Sequence, residues 1–165
     1  MDKFLKAVKV IINTLTAIII VIGVSFLILY AIGIQPFVVE SGSMEPNIKV
    51  GSVSFVNKRT KFEDIKENDV IAFKTASGKE ATHRVVNITE EGMKTKGDAN
   101  AVEDEILTTK ENYIGKNIFS IPKAGYIVKE TQKPRGRIVL ITFVIVMLLA
   151  GILIGEPKKS KHSDE

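Results

Sequence analysis

The chain has 165 residues, a quarter of them charged, a net charge of +4 and no cysteine. The missing cysteines exclude a disulfide framework and any thiolate metal site, and leave a serine to serve where a thiol might have. The basic excess forms no stripe interleaved with aromatics, so nucleic acid is not an expected partner; the lysines instead flank apolar runs.

Residues 1–9 carry Lys3, Lys6 and Lys9 against Asp2, and residues 10–34 are then apolar apart from Asn13, Thr14, Thr16, Ser25 and glycines. At 1.5 Å per residue, about 25 residues exceed a hydrocarbon core of roughly 30 Å, which predicts a transmembrane helix that tilts or extends past the interface. The run is longer than the apolar part of a secretory signal and lacks a small-x-small cleavage pattern, so it reads as an anchor. The lysine bias predicts a cytoplasmic N-terminus.

Just beyond it, residues 38–46 read Val-Val-Glu-Ser-Gly-Ser-Met-Glu-Pro. Two β-formers run into a Ser-Gly-Ser turn, and Pro46 stops regular structure from continuing, which presents Ser43 on a bend beside the membrane. Short apolar runs separated by Gly, Asn, Asp and Lys then predict a β-rich domain over residues 35–137, with strands at 37–40, 52–57, 69–74, 81–89, 93–96 and 113–122. Residues 75–79 read as a hairpin loop with Gly78 at positive φ, and residues 90–92 as a second hairpin. Residues 62–66 and 110–112 fit single helical turns and nothing longer is expected. Roughly 100 residues of this composition can bury one small core.

After Pro134, Arg135, Gly136 and Arg137, residues 138–154 are nearly unbroken apolar, at the short end of what can span. A core helix is the alternative, but one apolar all round would have little to pack against beside so small a domain. The tail holds Lys158, Lys159, Lys161 and His162. The expected organisation is a cytoplasmic N-terminus and transmembrane helix (1–34), an extracytoplasmic β domain (35–137), and a second transmembrane helix with a cytoplasmic tail (138–165). Arg135 and Arg137 run against the positive-inside rule, which weakens for translocated segments this long.

Ser43, His83, Asp98 and Asp104 stand out in the β domain, which has no other histidine. A serine hydroxyl needs a neighbouring base, and an imidazole needs an acid to hold its tautomer and stabilise its cation. By spacing alone, a strand histidine and two loop acids are as readily surface residues. Lys74 is a rival base, but it borders a solvated loop, where a lysine keeps its proton. Glu45, Glu103 and Glu105 read as solvated charges. No metal-ligand spacing or phosphate-binding glycine loop appears, so no cofactor is expected.

Four segments, Ser41-Gly-Ser-Met-Glu-Pro46, Asn68-Asp-Val-Ile-Ala-Phe-Lys74, Thr82-His-Arg-Val-Val86 and Lys96-Gly-Asp-Ala-Asn-Ala-Val-Glu-Asp104, resemble, in order, the boxes of type I signal peptidases. Bacterial members carry a lysine base in a Lys-Arg-Val box; here the box reads His-Arg-Val. This resembles the endoplasmic-reticulum-type branch of the eukaryotic signal peptidase complex, archaea and some Gram-positive bacteria. The resemblance implies a mainly β catalytic domain flanked by transmembrane helices, with Ser43 as nucleophile and His83 as general base. It makes both Asp98 and Asp104 important, with Asp104 the choice for the triad acid and Asp98 equally able to cap its own loop. The Ser43 N–H and Ser41 hydroxyl would form the oxyanion hole. Met44 would help cover apolar surface beside the membrane, or pack in the core.

The implied activity is a serine endopeptidase that cuts signal peptides from exported preproteins after small residues. Its implied partners are those preproteins, the bilayer and the secretion translocon. Two rivals stay open: a non-enzymatic membrane-anchored β domain, in which Ser43 can change freely, and a Ser-Lys peptidase resembling self-cleaving repressors, in which Lys74 is indispensable.

Overall fold

The computed structural model describes residues 2–153. Its elements are α1 (Asp2–Ala31), β1 (Ile34–Val38), β2 (Val53–Asn57), a 3-10 turn (Phe62–Asp64), β3 (Val70–Lys74), β4 (Glu80–Ile88), β5 (Met93–Lys96), β6 (Tyr113–Ile121), α2 (Ala124–Gln132) and α3 (Pro134–Leu153). The chain divides into two compact units, residues 27–132 and residues 1–26 with 133–165.

Within the second of these, α3 starts at Pro134, four residues before the expected apolar segment, because proline is well suited to a first helical turn that needs no N–H from it. Residue 154 and the basic tail with His162 lie outside the described residues. Along α1, Lys6–Ala31 forms a 26-residue stretch of mean hydropathy 2.6, the one helix among the described residues long and apolar enough to cross a membrane.

The 27–132 unit is built on one antiparallel sheet in the order β1-β2-β6-β3-β4-β5. Helix α1 ends three residues before the apolar run does, because Gly33 takes φ 86° and turns the chain, so that Ile34 can pair with Asn57. The first strand therefore begins at Ile34 and not at residue 37. Pro36 sits within it, tolerable because β1 is an edge strand. Val39 N–H donates to Ser52 C=O (2.9 Å), so by alternation Val38 and Pro36 turn their backbone polar groups to the free edge. The other strands fall within a residue of expectation, and β5 matches it at both ends.

The core cluster is Ile65, Ile71, Phe73, Val85 and Met93, with Phe62, Ala81 and Tyr113 packed against it. Both hairpins form as expected: Thr75 N–H bonds Lys79 C=O (2.8 Å) with Gly78 at φ 75°, and Thr89 N–H bonds Gly92 C=O (2.9 Å). Residues 110–112 form a turn and not a helix. The nine-residue α2 was not expected. Its backbone seats on the sheet domain where Gly125 N–H meets Gly51 C=O at 2.9 Å, an approach closed to any residue with a Cβ.

Gly115 on β6 is similarly confined: an added Cβ would lie 2.5 Å from the Asn57 carbonyl oxygen, whereas one on Gly78 would meet only open space. Gly115→Ala should therefore cost about 3 kcal/mol through displaced backbone, and Gly78→Ala about 1 kcal/mol for its left-handed φ. Thermal unfolding of both variants checks this; an equal or larger loss at Gly78 would refute the packing argument.

Candidate active site

The turn that follows β1 is fixed by Glu45 N–H to Gly42 C=O (3.0 Å) and Ile48 N–H to Met44 C=O (2.8 Å). It is anchored beneath by Met44 and Ile48, 1% and 6% exposed. Burial thus supports the packing role for Met44; the side chain is not spread over exposed apolar surface. The same turn leaves the Ser43 hydroxyl accessible, 3.2 Å from the Ser41 hydroxyl.

His83 lies on β4 opposite Ile71 of β3, and shares a strand face with Ala81 and Val85, which belong to the core region. Its ring packs edge-on to Phe73 at 5.8 Å. A strand paired on one side and a ring packed below leave the imidazole little freedom. Its Nε2 lies 3.1 Å from Ser43 Oγ, and its Nδ1 lies 2.7 Å from Asp104 Oδ2. The Asp104 carboxylate also accepts from Thr95 Oγ1 at 2.5 Å, and Asp104 N–H bonds Thr95 C=O at 2.8 Å. Thr95 is fully buried on β5, so the acid is held from both its backbone and its carboxylate. Ser43, His83 and Asp104 are thus brought into one hydrogen-bonded chain.

Asp98 is elsewhere. Its carboxylate takes Arg84 Nε and one terminal nitrogen in a two-pronged bond (2.8 Å each) and Asn47 Nδ2 at 2.7 Å. Its own turn, closed by Asn100 N–H to Gly97 C=O (2.9 Å), presents Ala99 N–H to the Ser43 carbonyl at 2.8 Å. An added Cβ on Gly97 would fall 2.6 Å from that same carbonyl oxygen, so glycine is required for the approach. Asp98 therefore braces the serine turn against β4. Arg84 completes the brace by reaching Asn68 C=O at 2.8 Å, where Asn68 adopts φ 72°. Arg84, Asn47 and Thr95 were not singled out from the sequence; the adjacency of Arg84 to His83 was the available signal for the first, and nothing local marked the others.

A groove of about 750 Å³ runs past Ser43. One wall is Phe37, Val38, Val39 and Glu40, and the other is Ala81 and Thr82 with the 75–79 loop. On that second wall, β5 pairs with β4 only from Arg84 onward, so residues 80–83 offer a second unpaired backbone edge. Lys74 is exposed and lines a separate cavity of about 350 Å³ with His83 and Asp104. Among the solvated acids, Glu103 pairs with Lys94 at 3.5 Å, both half exposed.

The sequence matches the family described as signal peptidase, peptidase S26, over residues 11–135. The chain belongs to that family. It is 41% identical over 78 residues to signal peptidase I W of Bacillus subtilis, covering 45% of this chain and 41% of the relative. It is 33% identical over 103 residues to the signal peptidase complex catalytic subunit sec11 of Sclerotinia sclerotiorum, covering 54% of this chain and 59% of the relative. The chain thus spans about half the length of these curated relatives.

Hydrogen bonding to Arg84 holds the Asp98 carboxyl below its ordinary value, against the opposing effect of burial, with Asn47 adding to the lowering. A carboxyl lowered in the folded state contributes stability that is fully present above its unfolded pKa, about 3.9, and lost as pH falls through the folded value. Asp98→Asn should remove that contribution. Thermal unfolding followed downward from about pH 5 should show a smaller acid-induced loss for the variant than for the wild type; parallel curves would mean the brace carries no charge-dependent stability.

Proposed function

We propose that this protein is a membrane-anchored serine endopeptidase that removes signal peptides from exported preproteins. The observation that carries this reading is the Ser43–His83–Asp104 chain, at 3.1 and 2.7 Å, opening on a groove with two unpaired strand edges.

Ser43 Oγ attacks the scissile carbonyl while His83 Nε2 takes its proton, and Asp104 accepts from Nδ1–H and stabilises the imidazolium. The carbonyl oxygen acquires charge in a site where the Ser43 N–H and the Ser41 hydroxyl are the candidate donors. His83 then gives its proton to the leaving amine, and water attacking the acyl-serine, with His83 again as base, releases the signal peptide. Asp98 acts through position: it holds the serine turn on β4 and touches neither reacting group. Lys74 has no part in the chemistry.

The peptide binds extended along the groove, adding a strand beside Val38. Shallow pockets there suit small side chains at the first and third residues before the cut. Tethering enzyme and precursor to one bilayer raises their effective concentration. On this reading α1 spans the membrane, the apolar part of α3 forms a second span, both termini are cytoplasmic, and the β domain faces outward, beside the secretion translocon.

Membranes carrying wild type or single variants should be assayed on a precursor ending its signal in Ala-x-Ala. Ser43→Ala and His83→Ala should each lose about 10⁶-fold in rate and Asp104→Asn about 10⁴-fold, while Lys74→Ala stays near wild type. Bulky residues in place of the alanines should slow cleavage. A folded Ser43→Ala that still cuts would instead favour a non-enzymatic β domain contaminated by another peptidase, and a dead Lys74→Ala a Ser-Lys enzyme. For the topology, a reporter fused after Glu165 should be active only inside the cell; activity outside would exclude two crossings.

A further inference from the structure

We propose that the loop carrying Lys58, Arg59 and Lys61 is a docking surface for anionic lipid headgroups in the leaflet where α1 leaves the membrane. The proposal rests on the reading of α1 as a span.

Two bonds hold this loop at the end of the helix: Lys58 N–H donates to Gly33 C=O (2.9 Å), and Arg59 Nη2 donates to Ala31 C=O (2.5 Å). The Arg59 stem lies over Gly33, where an added Cβ would meet its Cγ at 2.7 Å. The Ala31 carbonyl belongs to the last turn of α1, whose C-terminal carbonyls carry partial negative charge, so a guanidinium is stabilised there. That bond uses one of the five N–H donors of the guanidinium.

Depth follows from length. A stretch of 26 residues, Lys6–Ala31, is about 39 Å long at 1.5 Å per residue, some 9 Å more than the hydrocarbon core. With Lys6 and Lys9 at the inner interface, Ala31 and the loop bound to it reach the outer headgroup layer.

Charge completes the match. Lys58, Arg59 and Lys61 are all exposed. Of the acids that follow in the 3-10 turn, Glu63 is engaged by Lys110, and Asp69 beyond them takes Lys116 at 2.7 Å. The cations therefore outnumber the acids that remain, and phosphodiester headgroups are the anions at that depth. These cations lie 27 to 30 residues beyond the end of α1 along the chain, so a count of charge flanking the span by sequence does not see them.

The chain has no tryptophan, so Thr60→Trp gives a single reporter in the loop and Leu15→Trp, in a separate variant, one inside the span. The full chain is reconstituted in phosphatidylcholine vesicles containing brominated phosphatidylglycerol or, at equal mole fraction, brominated phosphatidylcholine. The loop reporter should be quenched about twofold more by the anionic lipid, and the preference should vanish in 1 M salt, where screening acts within about 3 Å. It should also vanish on adding Lys58→Gln and Lys61→Gln. The span reporter should be quenched equally by both lipids. Equal quenching of the loop reporter by the two lipids, or a preference that survives the double lysine replacement, overturns the proposal. A loop reporter that neither lipid quenches, beside a quenched span reporter, also overturns it while leaving the span intact, and silence of both sinks the span reading with it.

Discussion

The geometry that sets Ser43 against His83 depends on the three-way contact among Asp98, Arg84 and Asn47. Ser43 and His83 are separated by 40 residues, and no covalent link draws them together. Asp98 grips Arg84, next to the histidine on β4, with both oxygens of its carboxylate, and its Oδ2 also takes Asn47, in the serine turn. The Ala99 N–H on the same turn takes the Ser43 carbonyl directly. A charged, two-pronged pair of this kind is stronger and more directional than a neutral hydrogen bond. Breaking it would leave a mostly buried charge without its partner, so loss of either member should loosen the turn and not merely weaken it.

The acid of the chain is held by an independent device. Asp104 hangs from β5 through Thr95, whose hydroxyl and carbonyl fix both ends of the residue. Two carboxylates six residues apart thus do different work because their surroundings differ: one faces a guanidinium, the other an imidazole. That difference is what leaves one of them free to orient the histidine.

Much of this was legible in the residues. Most of the strands were readable because they carry short β-branched or aromatic runs bounded by turn formers, and the two glycine-bearing hairpin loops follow from the same chemistry. Ser43 and His83 were pointed to by the resemblance of their boxes, since by spacing alone a strand histidine and a turn serine are as readily surface residues; the structure brings the two side chains to 3.1 Å. Between Asp98 and Asp104 the resemblance favoured Asp104 as the acid while the residues themselves left both open, because which partner each carboxylate meets is decided across the sheet. Helix α2 was missed for a related reason. Its opening residues, Ala124-Gly-Tyr-Ile-Val, combine a glycine with β-branched and aromatic side chains, a poor local case for a helix. What supports it is tertiary: the Gly125–Gly51 backbone contact and the Lys129–Glu40 ion pair at 2.8 Å.

Pro36 gives the open edge of β1 a further meaning. On the proposed reading, the unpaired strand beside Ser43 accepts a visiting chain, yet the same edge invites two copies of the protein to zip together and aggregate. The proline withholds an N–H from that edge two residues before Val38, so a pairing that starts at the serine end runs out of donors almost at once. A short extended segment can be held, whereas a long intermolecular ladder cannot. The edge is thereby kept selective by length, receptive to a transient guest and poor as a template for self-association.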